Sequence, residues 1–185
     1  MIRFCDVFFS LLGLIVLSPI FVIIALCIVL DSRGGVFYRQ VRVGRDGKDF
    51  RLFKFRSMAS GADKKGLITV GAKDSRVTRV GYFLRKYKLD ELPQLLNVVR
   101  GEMSLVGPRP EVRKYVDMYT VEQRKVLAVA PGITDYASIE YADENTILGQ
   151  ARDPDRAYVE QIMPDKIRYN MKYIDNRCFG QIKAD

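Results

Sequence analysis

Histidine is absent from all 185 residues, and cysteine occurs three times, at Cys5, Cys27 and Cys178. The first absence excludes Ser-His and Cys-His nucleophilic chemistry and His-bound zinc, so any acid, base, nucleophile or metal ligand must be a carboxylate, Lys, Tyr, Ser, Thr or Cys. An odd number of cysteines without CxxC spacing argues against a disulfide framework and fits a reducing compartment. No glycine-rich phosphate loop, dinucleotide fingerprint, internal repeat or low-complexity linker is present. Positive charge is scarce at one end: Arg3 is the only Lys or Arg before residue 33, although the chain carries 30 of them and a formal net charge of +8. An apolar head is therefore joined to a basic body, at a length that suits one domain with a core. Such a body attracts nucleic acid, anionic lipid surfaces or phosphorylated molecules. The lack of any helix-turn-helix, RNA-recognition or zinc-finger pattern sets nucleic acid aside.

Val7 to Leu30 is a run of 24 residues without a charge. As a helix it would be about 36 Å long, enough for a ~30 Å hydrocarbon core. The run exceeds a signal-peptide core, and no small-x-small cleavage site follows it. Ser18-Pro19 interrupts it near the middle. Pro19 cannot donate to the carbonyl of Ile15, and the Ser18 hydroxyl can satisfy a backbone group freed there. The residues leave two readings open. One is a kinked spanning helix; the other is a bent helix that enters and leaves one leaflet, with Arg3 and the Arg33 to Arg45 segment on the cytoplasmic side.

In the body, VFYRQVRVGRDGKDFRLFKFRSM (Val36 to Met58) reads as two strands around an Asp46-Gly47 turn. Seven basic residues from Arg39 to Arg56 make it a cationic ribbon, unless they are only the solvated charges of an edge. Asp74 or Ser75 is expected to cap a helix carrying Val77, Val80, Phe83, Leu84 and Tyr87 on one side. Pro93 to Arg100 reads as a short helix closed by Gly101. KLDELPQLLN places Asp90 and Glu91 just before it. Acids there can be simple caps, but a cap needs only one. Two adjacent carboxylates raise each other's pKa, an arrangement relieved by a cation such as Mg²⁺.

GEMSLVGPRPE (Gly101 to Glu111) reads as a loop in which Arg109, between Pro108 and Pro110, offers a pre-organised guanidinium suited to phosphate. Val112, Tyr115, Val116 and Tyr119 share a helical face opposite Arg113 and Lys114, facing either a membrane surface or the core. Thr120 with Gln123 forms a capping box for a further helix that ends at Ala130-Pro131-Gly132. A last helix follows Pro164, with Ile167, Met171 and Ile174 at core spacing.

Together these stretches closely resemble the bacterial sugar transferase family, the monotopic polyprenyl-phosphate phosphoglycosyl transferases. The resemblance runs in collinear order from the apolar head with its Leu-Ser-Pro, through FYRQVRVGRDGKDFRLFKFRSM and DSRVTRVGYFLRKYKLDELPQLLNVVRGEMSLVGPRP, to APGIT. With no further membrane helices ahead of this head, the chain looks like a minimal member. ITDYASIEYADE (Ile133 to Glu144) is similar to the enzymes of bacterial N-linked glycosylation that use UDP-N,N'-diacetylbacillosamine.

The resemblance implies transfer of a sugar 1-phosphate from a UDP-sugar to undecaprenyl phosphate, with release of UMP and dependence on Mg²⁺, in the bacterial inner membrane with the active site on the cytoplasmic face. It assigns Asp90 as nucleophile, Glu91 (with Asp90) to Mg²⁺, and Arg109 to phosphate, with Lys54, Arg56, Arg76 and Arg85 as further phosphate or headgroup contacts. It also implies that Ser18 and Pro19 bend the head into a re-entrant hairpin. The expected protein is α+β and mostly helical, with residues 1–32 as a re-entrant membrane helix-break-helix. Residues 33–185 form a cytosolic catalytic domain with a β-hairpin and amphipathic interfacial helices. Inner-membrane lipids and later enzymes of the glycan pathway are the expected partners. The competing reading is a membrane-anchored module that binds anionic lipid without catalysis.

Overall fold

The computed structural model describes residues 2–59, 61–62, 74–140, 144–151 and 153–182, with side chains described except at 144–146 and 177–182. Cys178 and part of ITDYASIEYADE thus lie outside the described side chains. Cys5 and Cys27 are free, exposed thiols.

The head forms two helices, α1 (Ile2–Val16) and α2 (Ser18–Asp31), set at 61° to each other. The cause is local. Pro19 has no N–H for the Ile15 carbonyl, and the Ser18 hydroxyl donates to that oxygen at 2.8 Å instead. Among the described residues no single helix is long and apolar enough to cross a membrane, whereas the bent pair passes that test together. Phe4, Ile15, Val16 and Leu30 stand on the outer surface of this pair.

Its inner surface is tied to the body by polar groups that sequence reasoning overlooked. Arg3 donates to the carbonyls of Val98 and Val99, and buried Asp6 accepts from the Ser104 hydroxyl (2.8 Å) and the Leu105 amide (3.1 Å). Ile24 and Ile28 share a core with Phe55 and Leu84.

Strands β1 (Phe37–Val43) and β2 (Asp49–Phe55) pair antiparallel, from Phe37 opposite Phe55 to Val43 opposite Asp49. Asp46 and Gly47 both take positive φ (57° and 73°) in the connection, the conformation a tight hairpin turn requires. β2 is buried on both faces at its far end: Leu52 packs with Val98 and Met103, and Phe55 with the α2 core. The basic residues therefore do not form one continuous ribbon. Arg42 and Lys54 are turned inward into ion pairs with Glu111 and Glu91, while Arg45 remains in solvent. The Arg39 guanidinium lies over the Phe53 ring.

Helix α3 (Arg79–Lys86) starts at Thr78, whose hydroxyl accepts from the Gly81 amide at 2.9 Å, and not at Asp74 or Ser75 as expected. Asp74 is instead held by Arg76, and Val77 sits in an extended bridge to Met58 rather than on the helix. Phe83 and Tyr87 are exposed and in ring contact at 4.7 Å, so only Val80 and Leu84 point inward. Gly81 is required here, since a Cβ would lie 1.9 Å from the Ser57 carbonyl oxygen.

Helix α4 (Gln94–Arg100) follows Pro93 and ends at Gly101 in the left-handed conformation, as expected. The stretch read as a plain loop contains β3 (Ser104–Val106), which pairs parallel with β4 (Gly132–Thr134).

Helix α5 (Arg113–Val116) is a single turn that takes the core-facing alternative, so it is shorter than its pattern suggests and is not one of the expected interfacial helices. Tyr115 and Val116 are buried, and Tyr115 packs with Tyr158, Ile162 and Ile167. Thr120 and Gln123 form the reciprocal capping box, but the segment it opens, Gln123–Ala128, is 3₁₀ rather than α. Short helices α6 (Tyr136–Glu140), α7 (Glu144–Gln150) and α8 (Pro154–Ala157) lead through a π-turn at Tyr158–Ile162 into α9 (Met163–Ile182). Ile167 and Ile174 of α9 are buried and Met171 packs against the same core, as their spacing predicts.

Candidate active site

Asp90 and Glu91 lie on a 3₁₀ turn, Leu89–Glu91, entered through Lys88 with φ of 57°. Neither carboxylate caps α4, whose first turn receives no side-chain hydrogen bond. Their surroundings differ sharply. Glu91 accepts from Lys54 Nζ (2.8 Å) and from both terminal nitrogens of Arg109. Asp90 is buried and, among the described residues, has no hydrogen bond or ion pair.

The supports of these groups come from three parts of the chain. Lys54 is on β2, which is docked on α4 by buried Asn97. Asn97 accepts from the Phe53 amide and donates to the Arg51 carbonyl and to Glu102. Arg109 stands between two prolines on a backbone pinned to β4. There Gly107 donates to the Thr134 carbonyl and Gly132 to the Pro108 carbonyl, an approach so close that a Cβ on Gly132 would overlap Gly107. Asp135 completes the support by accepting from the Arg109 and Ser138 amides. Asn97 and Asp135 were not singled out in the sequence. Two carboxamides one turn apart, Gln94 and Asn97, were the available signal for the former; nothing local marked the latter.

Electrostatics separate the two acids further. Burial pushes the Asp90 carboxyl above its usual range; the Lys54 charge opposes this and Glu91 adds to it. Burial acts in the same sense on Glu91, but Lys54 and Arg109 overcome it and hold that carboxyl well below the usual range. Lys54 is itself lowered by burial, with Glu91 pulling it back up.

A cavity of about 920 Å³ is lined by Asp90, Glu91, Lys54, Arg56, Arg76, Arg85 and Arg109, so all the residues singled out as chemical groups border one space. They are not equally available to a ligand. Arg56 is buried and spends its guanidinium on the carbonyls of Ile28, Ser32 and Arg33 at the end of α2. Arg76 is paired with Asp74. Arg85 acts on Asp90 through its charge, and Lys88, not anticipated from the sequence, lines the cavity with it.

No group of three or more Asp, Glu, Cys or His side chains gathers to hold a metal among the described residues. The adjacent carboxylates of Asp90 and Glu91, bordering one cavity with Arg109, are nevertheless a donor pair of the kind that suits Mg²⁺. This ion is commonly bound by one or two carboxylates with substrate phosphates and water completing its shell.

The sequence matches the family described as bacterial sugar transferase over residues 1–181. The chain belongs to that family. It is 37% identical over 177 residues to a UDP-N-acetylgalactosamine-undecaprenyl-phosphate N-acetylgalactosaminephosphotransferase of Aeromonas hydrophila, covering 94% of this chain and 39% of that protein. It is 45% identical over 140 residues to a UDP-glucose:undecaprenyl-phosphate glucose-1-phosphate transferase of Klebsiella pneumoniae, covering 74% and 30%. A relative of the same name in Xanthomonas campestris pv. campestris is 36% identical over 173 residues, covering 91% and 34%. The chain thus spans between 30% and 39% of the length of these relatives.

Proposed function

We propose that the protein transfers a sugar 1-phosphate from a UDP-sugar to undecaprenyl phosphate, releasing UMP, through a covalent intermediate on Asp90. The observation that carries this reading is the division between the two acids: Glu91 is clamped by Lys54 and Arg109, while its neighbour Asp90 borders the same cavity with no hydrogen-bond or ion-pair partner among the described residues. A nucleophile needs a free oxygen. In the first displacement a carboxylate oxygen of Asp90 forms a bond to the β-phosphorus and the bond to the UMP oxygen breaks. In the second, a phosphate oxygen of undecaprenyl phosphate attacks that phosphorus and the carboxylate leaves. Both steps bring anions together, so positioning and charge neutralisation supply most of the catalysis. Arg109 and Lys54 provide fixed positive charge. Glu91 with Asp90 would hold Mg²⁺ arriving with the diphosphate, and the ion would supply further neutralisation there.

The bent α1–α2 pair supports a re-entrant head that opens the site toward one leaflet on the cytoplasmic face of the bacterial inner membrane. Exposed Tyr82 and Phe83 on α3 and Tyr87 just after it suit the headgroup region, and Asp31 of α2 accepts from the Val80 amide at the start of that helix. ITDYASIEYADE supports UDP-N,N'-diacetylbacillosamine as the donor, and hence the first membrane step of a glycan used in N-linked glycosylation, with later pathway enzymes as partners. Relatives named for glucose and N-acetylgalactosamine transfer make the donor panel essential.

The test is UMP release from such a panel, with and without Mg²⁺ and undecaprenyl phosphate, beside Asp90→Ala. Turnover that needs Asp90 and the lipid, with a stoichiometric burst when lipid is omitted, is the expected result. Folded protein that releases no UMP from any donor, yet binds anionic vesicles in a salt-sensitive manner, would return the protein to the lipid-binding module.

A further inference from the structure

The backbone that carries Arg109 is held differently on its two sides. Ahead of the guanidinium it is pinned to β4 and Asp135, through the Gly107, Gly132 and Arg109 amides. Behind it stands Pro110, which has no N–H, so only its carbonyl can be anchored. Arg42 of β1 takes that carbonyl with Nη1 at 3.2 Å, and the Val43 amide takes the next one, of Glu111, at 2.8 Å. The end of β1 is thus the second support of the Arg109 loop.

Arg42 is itself aligned from three directions. Its Nη1 also donates to Glu111 Oε1 at 3.2 Å, and Nε and Nη2 both donate to Gln40 Oε1, at 3.1 and 2.8 Å. Glu111 is fixed in turn by the Val112 amide at 2.8 Å and by the Tyr158 hydroxyl. Arg42 borders the cavity, yet each of its three nitrogens is already engaged with a protein oxygen, which is the state of a support and not of a ligand-binding cation. The arrangement is costly. Burial and the nearby Arg109 charge both work against a second guanidinium here, and Glu111 opposes them. A site that only needed filling would be better served by an apolar side chain; what arginine adds is a planar fork that reaches the Pro110 carbonyl, Glu111 and Gln40 at once.

We propose that Arg42, braced by Glu111, is the positioning residue for Arg109: it acts on phosphoryl transfer by holding the backbone on the far side of that guanidinium. This rests on the proposed transfer reaction.

The test is a double-mutant cycle of Arg42→Met and Arg109→Met in the detergent-solubilised full chain, followed by UMP release from radiolabelled donor so that slow variants stay within range. Arg42→Met alone is expected to lower kcat on the order of 10²-fold, as for a misplaced catalytic group, with KM for the UDP-sugar within about threefold. A displaced guanidinium still meets a ground-state phosphate but misses the charge that develops in the transition state. In the Arg109→Met background the same substitution is expected to cost less than about threefold in kcat, because the group it positions is gone. Its effect on melting temperature should be alike in both backgrounds. Arg42→Lys, which keeps the charge without the fork, is expected to leave most of the kcat deficit in place. Glu111→Gln supplies a milder loss with the same dependence on Arg109 if the methionine variant does not fold.

Equal kcat losses in the two backgrounds overturn the proposal and make Arg42 merely structural. A rise in KM with kcat unchanged overturns it by making Arg42 a donor contact, and full rescue by lysine overturns it by reducing the role to charge. Wild-type protein that releases no UMP from any donor would fail the transferase reading itself, a different result from all of these.

Discussion

Lys54 Nζ lies 2.8 Å from Glu91 Oε1, joining β2 to the turn before α4 across 37 residues of sequence. Arg109 reaches the same carboxylate from the other direction. Both cations converge on Glu91 and leave Asp90 open, and this asymmetry turns a pair of like side chains into two different groups. Removing either cation should therefore be felt at Asp90 as well.

Replacing Lys54 by Met removes the charge that most strongly opposes the upward shift of the Asp90 carboxyl. In the proposed mechanism Asp90 attacks in its ionised form, so activity is expected to fall as pH drops through its raised pKa. Without Lys54 that acidic limb is expected to move to higher pH, with maximal turnover roughly 10²- to 10³-fold lower, as for loss of a preorganised charge at a reacting centre. A pH profile of UMP release checks this; a limb that stays in place would mean that Lys54 does not act on Asp90.

The two acids should have opposite effects on stability. Burial raises the Asp90 pKa, so its contribution is greatest when protonated and is lost as pH rises from the ordinary carboxylate value through the raised one. Asp90→Asn is accordingly expected to raise the melting temperature at pH 7 while abolishing turnover. Glu91 is shifted down, so its contribution is present above the ordinary value and is lost as pH falls through the depressed one. Glu91→Gln should lower the melting temperature at pH 7 and show a smaller deficit in acid. Melting curves across pH distinguish the two.

Asn97→Leu strips the partners from the Phe53 amide and the Arg51 carbonyl in a buried setting. A loss of about 2–4 kcal/mol follows from two or three broken hydrogen bonds. Turnover should fall further than stability, because β2 carries Lys54. Denaturation in detergent and UMP release, measured side by side, test the split.

Pro19→Ala restores an N–H for the Ile15 carbonyl and is expected to relax the 61° bend toward one continuous helix. The reporter is Ile2→Cys in a background without Cys5, Cys27 and Cys178, probed with a membrane-impermeant thiol reagent. The re-entrant head predicts labelling from the cytoplasmic side only, and the straightened variant labelling from the opposite side. Opposite-side labelling of the Pro19-containing protein would sink the re-entrant arrangement.

Much of this was legible locally. The break at Ser18-Pro19, the turn at Asp46-Gly47, the end of α4 at Gly101 and the Thr120–Gln123 capping box all depend on groups within about four residues of each other. Such groups meet whatever the remainder of the chain does. Where a distant partner competed, local reasoning failed. Asp74 had the right chemistry for a cap but was taken by Arg76, and the cap passed to Thr78. The pattern of Tyr115 and Val116 left membrane surface and core both open to local reasoning, and folding decides for the core: both are buried, Tyr115 against Tyr158, Ile162 and Ile167.

The candidate site divides in the same way. Composition alone excluded histidine chemistry, and adjacency of Asp90 and Glu91 is a property of the chain. Which acid is clamped and which stands open is not. That depends on Lys54 and Arg109 arriving from 37 and 18 residues away, on Asn97 and Asp135 holding their backbones, and on Arg56 being drawn to the end of α2. Backbone conformation is governed by short-range sterics and hydrogen bonds that sequence exposes, whereas the charge around a buried carboxylate is a sum over neighbours that only folding brings together.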